Sequence, residues 1–133
     1  MEKSVLGKAG EDLATIFLKR KGYGILDRNF RRKFGEIDIV ARAPDGTLVF
    51  VEVKTLKNYG PEGLKPEDNL SSAKLRKFKR ICEGYVASNE DHVNEKKGWR
   101  MDLICVEIPR EDWNYEDLTK IEKDCVIRHY ENI

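Results

Sequence analysis

The chain has 133 residues, 40% of them hydrophobic and 37% charged, with a formal net charge of +1. That length suits one domain with a packed core. It leaves no apolar run near the roughly 20 residues that cross a bilayer, and no secretory leader is evident at the N-terminus. A membrane partner is therefore not expected, and a cytoplasmic location is. The small net charge hides an asymmetry: residues 1–80 hold 18 Lys/Arg against 11 Asp/Glu, and residues 81–133 hold 7 against 13. A basic front half suits an anionic partner, although a well-solvated surface would produce the same counts.

In chain order, residues 3–22 predict a helix. Leu6, Gly10, Leu13, Ala14, Phe17 and Leu18 recur on one stripe, and Gly22 suits the position just past its end. Gly7 and Gly10 on or near the stripe suggest close packing of helix on sheet. Glu11 falls about 100° from the stripe centre, where it could reach past the core; taken alone it reads as an ordinary solvated glutamate. Tyr23–Phe34 predicts a first strand. Its Arg28, Arg31, Arg32 and Lys33 read equally as phosphate contacts or as a charged edge that resists pairing.

Two strands joined by a turn follow in GEIDIVARAPDGTLVFVEVK, residues 35–54, with Pro44, Asp45 and Gly46 supplying the turn. The run Leu48–Val51 with Val53 is almost continuously apolar, as in a strand buried on both faces. Alternation puts Glu36 and Asp38 on one face of the first strand, and Glu52 and Lys54 on one face of the second. One register brings Asp38, Glu52 and Lys54 together. Two carboxylates about 4 Å apart repel by roughly 4 kcal/mol at an effective dielectric near 20. A hard divalent cation such as Mg²⁺ would offset that, and Lys54 could orient a water or neutralise phosphate.

Leu56–Asn69, with Gly60, Pro61, Gly63 and Pro66, predicts a loop able to close over a substrate. Asn69, Ser71 or Ser72 caps a second helix running to about Ser88, with Leu75, Phe78, Ile81, Cys82 and Tyr85 on its buried side. Lys74 in its first turn could face the site. Residues 89–99 predict a polar loop, Met101–Ile108 a strand, Pro109–Thr119 a loop or short helix, and Ile121–Tyr130 a last strand. Asp102 beside Arg100 reads as a structural ion pair at least as readily as an accessory site residue. The helical crossover between the Glu52 and Met101 strands suits parallel pairing. Cys82, Cys105 and Cys125 are widely spaced, without a Cys-x-x-Cys pair, and read as buried reduced thiols. His92 and His129 stand alone, which argues against zinc.

Asp38 followed by Glu52-Val53-Lys54 resembles the PD-(D/E)XK signature of the restriction-endonuclease-like superfamily. More closely, the chain resembles the small YraN-like family of predicted endonucleases, similar to archaeal Holliday-junction resolvases. The blocks that carry this are GEDLA at residues 10–14, Gly22-Tyr23, RNFR at 28–31, GEIDIV at 35–40, FVEVKT at 50–55, Ser72-Ala73-Lys74 and RMDL at 100–103. Leu56 stands where the family commonly has arginine, with Lys57 next to it, and Ile37 stands where the superfamily has proline. The resemblance implies an α/β, restriction-endonuclease-like (tRNA endonuclease-like) three-layer fold with a mixed five-stranded sheet flanked by helices. It implies Mg²⁺-dependent (or Mn²⁺-dependent) endonuclease activity on DNA, including branched or junction substrates. Asp38, Glu52, the Val53 carbonyl and Glu11 would hold the metal, and Lys54 would serve the attacking water. Arg31, Arg32 and Lys74 are candidate phosphate contacts and Glu36 an accessory residue. A homodimer follows by analogy. Two rival readings are a non-catalytic nucleic-acid-binding module on the same fold and an interaction domain using the acidic tail and Trp113.

Overall fold

In the computed structural model, the structure describes residues 4–57, 70–109 and 117–133. A five-stranded sheet forms in the order β1-β2-β3-β4-β5: β1 Gly24–Arg32, β2 Gly35–Arg42, β3 Leu48–Lys57, β4 Trp99–Ile108 and β5 Val126–Tyr130. Helix α1, Val5–Arg20, precedes it; α2, Ser72–Ser88, connects β3 to β4; and a single helical turn, α3 Leu118–Ile121, precedes β5. β3 and β4 pair in parallel and the other neighbours antiparallel. The parallel pair follows from the α2 crossover, because a tight hairpin can join only antiparallel strands. Among the described residues no helix is long and apolar enough to cross a membrane.

The sheet carries a core on each side. Leu13, Ala14 and Leu18 of α1 meet Ile39, Val51, Val53 and Ile104, while Phe78, Ile81, Cys82 and Tyr85 of α2 meet Ile37, Val40 and Phe50. Three layers result, with β3 covered on both sides, as its unbroken apolar run requires. The α1 stripe is the one its spacing predicts. A full Schellman motif ends α1: Gly22 takes φ +89°, Tyr23 N–H donates to Leu18 O and Gly22 N–H to Lys19 O, both at 3.0 Å. Tyr23 thus belongs to the helix stop rather than to the first strand. At the β2–β3 turn, Asp45 accepts from the Thr47 N–H at 2.9 Å and its hydroxyl at 2.7 Å. These bonds, the backbone one first, hold the Asp45 carboxyl below its usual range.

Gly10 has a steric duty. A Cβ there would overlap the Thr55 hydroxyl and lie 2.7 Å from Thr55 Cβ, so α1 rests directly on β3 at that point. Gly7 has no such role: among the described residues, a Cβ there would meet the Ser4 hydroxyl of its own cap and nothing from the sheet. Ser71, one of three residues expected to cap α2, does so by accepting from Lys74 N–H at 3.2 Å.

The last strand is shorter than its sequence suggests. Residues 121–125 are helical turn and bend rather than strand, because Leu118 and Ile121 pack onto the α1-side core and Glu122 pairs with Arg20 at 2.9 Å. Within 89–99, Glu90–His92 form a 3₁₀ turn and Trp99 already belongs to β4. Leu56 and Lys57 continue β3; the rest of the expected loop, and Trp113, lie outside the described residues. Cys82 and Cys105 are buried and Cys125 half-buried, all free thiols. Burial, then the neighbouring Glu52 and Glu83, push the Cys82 thiol far up; burial pushes Cys125 up to about 12.

Candidate functional site

The β2–β3 ladder runs from Arg42–Leu48 to Ile39–Val51. At Asp38 a side chain takes over from the backbone, and Val53 N–H donates to Asp38 Oδ2 at 2.8 Å. In the neighbouring pair the β1–β2 register shifts between Ile25 and Asp27 and is then kept to Arg32–Gly35. Asn29 sits between the pairs Arg28–Ile39 and Phe30–Ile37 with φ +54°, a conformation asparagine tolerates better than most residues. Ile37 and Ile39, two apart on β2, fall in opposite cores. Strict alternation fails between these two isoleucines, while Glu36 and Asp38, expected on one face, line the same cavity.

The opened end of β2 and β3 is a surface cavity of about 440 Å³ lined by Glu11, Arg31, Glu36, Asp38, Glu52, Val53 and Lys54, among others. Three elements and the β1 edge supply them. Glu11 is 3% exposed; the Gly10–Thr55 contact sets its helix on β3 beside Glu52 and Lys54. Arg28 helps hold that end of α1 against β1, its guanidinium 2.8 Å from Asp12 and 3.9 Å from Glu11. Asp38 is likewise 3% exposed. Glu52 and Lys54 are half-buried, with Lys54 Nζ 3.7 Å from Glu52 Oε1, and Arg31 pairs with Glu36 at 3.1 Å.

Among the described residues four carboxylates and two cations line this cavity. Its oxygen atoms come from carboxylates, hydroxyls and backbone, with no thiol or imidazole among the described lining residues. Carboxylate oxygens are the ligand type that a hard divalent cation takes, whereas thiolate and imidazole suit zinc. An adjoining hollow of about 300 Å³ shares Glu36, Glu52 and Lys54 with it and adds Lys74, Lys77 and Phe34. Lys74 thus lies next to the site. Arg32 lies elsewhere: its guanidinium stacks 4.1 Å over Phe30, in a third hollow with Arg80.

Residues 10–106 match the uncharacterised protein family UPF0102. The chain belongs to that family. Its members include UPF0102 proteins of Pelobacter propionicus, 43% identical over 75% of this chain and 69% of the relative, and of Alkaliphilus oremlandii, 37% identical over 96% and 95%. The Caldicellulosiruptor saccharolyticus member is 46% identical over 65% and 70%. A solved structure titled "Structure of EndoMS-dsDNA2 complex" is similar over 76% of this chain and 36% of its own, at 14% identity and a TM-score of 0.39. The UPF0102 match begins at Gly10 and takes in every residue lining the cavity from Glu11 onward.

Asp102 lies in a different cluster of this UPF0102 chain. Fully buried, its carboxylate accepts from Arg100 Nε at 3.0 Å and Asn132 N–H at 2.9 Å, and meets His129 Nε2 at 2.7 Å. His129 Nδ1 faces Lys21 Nζ at 2.8 Å; a lysine ammonium can only donate, so Nδ1 accepts and Nε2 carries the proton shared with Asp102. Burial pushes the Asp102 carboxyl up, but the hydrogen bonds from His129, Arg100 and Asn132 outweigh it and hold the group below the usual carboxylate range. Arg100 also reaches Tyr23 OH at 2.8 Å and Glu131 at 2.9 Å. Asp102, His129 and Glu131 each offer a ligand atom within 4.8 Å of the others. Arg100 and Lys21 already engage those atoms, so the cluster is neutralised from within. No local pattern reveals His129 as a partner of Asp102; only the β4–β5 pairing, with Ile104 opposite His129, unites them.

Proposed function

We propose that this chain is a single nuclease-like domain and a metal-dependent endonuclease that hydrolyses phosphodiester bonds in DNA, branched forms included. The observation that carries the reading is one cavity lined by Glu11 of α1, Asp38 of β2, and Glu52 and Lys54 of β3. Glu11, Asp38, Glu52 and the Val53 carbonyl would hold Mg²⁺ or Mn²⁺. When bound, the ion would polarise a phosphate oxygen and acidify a water. The Val53 N–H fixes the Asp38 carboxylate in one orientation before any ligand arrives. Lys54 orients the attacking water and offsets negative charge that develops on the phosphate. Lys74 and Lys77, in the adjoining hollow, receive the flanking phosphates, with Arg31 at the cavity's rim. Glu36 keeps Arg31 in place until a phosphate competes for it.

The test incubates the full chain with Mg²⁺ or Mn²⁺ and labelled duplex, flapped and four-way DNA. Cleavage that disappears in Asp38→Ala and Lys54→Ala supports the reading. No cleavage with either ion, or cleavage equal in both variants, overturns it. Binding that falls steeply with salt, without turnover, would instead favour a non-catalytic DNA-binding module.

A further inference from the structure

The β1–β2 hairpin turns through Lys33 and Phe34, and the Phe34 side chain stands 66% exposed at its tip. A single exposed apolar residue is ordinary. This one differs in its surroundings. Phe34 is the ridge between two hollows. The first connects through Glu52 and Lys54 to the carboxylate cavity and brings Lys74 and Lys77 to the ring. The second, about 320 Å³, lies between Phe30, Arg32, Lys33, Phe34 and Arg80, with no carboxylate in its described lining. Both arginines sit over rings, Arg32 at 4.1 Å from Phe30 and Arg80 at 5.5 Å from Phe34. Phenyl faces and guanidinium planes are the surfaces on which unpaired bases stack, and basic grooves track the backbone that carries them.

We infer that Phe34 and the arginine-lined hollow behind it receive an unstacked base, so that the DNA bound here is single-stranded or carries unpaired nucleotides beside the duplex. Lys74 and Lys77 guide the phosphates between that base and the cavity. A paired duplex has no free base face to offer the ring and gains only the phosphate interactions. The inference rests on the DNA-binding half of the proposed function and not on turnover.

Fluorescence anisotropy of the full chain in EDTA tests it, with a labelled duplex, the same strand alone and a flapped duplex. Phe34→Ala weakens single-strand and flap binding by about five- to 150-fold, the range that removal of one base–aromatic stack spans. Duplex binding stays at its wild-type value, and Phe34→Trp restores the preference. Lys77→Ala makes the slope of log affinity against log salt shallower by about 0.7 for single-strand DNA, the value for one phosphate no longer neutralised. Equal binding of all three DNAs by Phe34→Ala and wild type overturns the inference, as does an equal weakening on duplex and single strand. A wild-type chain that prefers unpaired DNA but never cleaves it sinks the nuclease reading and leaves this one standing.

Discussion

Helix α1 serves two charged clusters of opposite character. Glu11, in its N-terminal half, lines the cavity with Asp38, Glu52 and Lys54. Lys21, ten residues and so about 15 Å further along the axis, closes the Asp102–His129 network. In the network both Asp102 oxygens meet donors from Arg100, His129 and Asn132, and the carboxylate is fully buried. In the cavity carboxylates outnumber cations, and Glu52 and Lys54 keep a quarter to a third of their side chains in water. Acidic residues matched internally stabilise a fold.

The sharpest way to break this comparison is to exchange the readouts. Asp102→Ala strands Arg100 and His129 in a buried place and lowers stability by about 3–5 kcal/mol, seen in the urea midpoint. Glu52→Gln costs less than about 1 kcal/mol by the same measurement. Equal losses would erase the distinction. Cleavage gives the mirror image: Lys54→Ala lowers turnover by about 10²–10³-fold, while Asp102→Asn, assayed well below its melting temperature, keeps the wild-type rate.

Acid sharpens the same contrast. Because the Asp102 carboxyl is held below its usual range, its contribution is complete above that range and is lost as pH falls through the folded-state value. The stability gap between wild type and Asp102→Asn should stay constant at neutral pH and close in acid, measured by urea titration across pH. A gap that instead widened in acid would show that another group dominates the network.

Smaller effects probe the supports of the cavity. Gly10→Ala drives a methyl into Thr55 and costs about 1–3 kcal/mol, with Thr55→Gly relieving it. It should also reduce cleavage beyond the stability loss, since Glu11 moves with the helix. Ser71→Ala, which removes the α2 cap beside Lys74, costs about 1 kcal/mol and leaves the cleavage rate intact.

The two clusters also differ in how legible they are. Asp38, Glu52 and Lys54 could be read together because a hairpin relates residues that are close in the chain, and alternation along β3 pairs Glu52 with Lys54. Asp102 was readable only as a neighbour of Arg100. Its bond to His129 crosses 27 residues and depends on how β5 docks, and nothing local encodes that. The expected strand over 121–125 failed for a related reason: contacts of Leu118 and Ile121 with the α1-side core override a strand reading of that segment.

What the amino-acid order determined unaided was the succession of elements, the covered β3, the parallel crossover and the acidic pair flanking the turn, because each follows from periodicity, turn chemistry or spacing. The tertiary structure alone decided that Asp38 would cap the end of the β2–β3 ladder and that Gly10 would seat Glu11 beside it. Those outcomes depend on contacts between segments distant in the chain, where steric fit and hydrogen-bond satisfaction, rather than local preference, select the geometry.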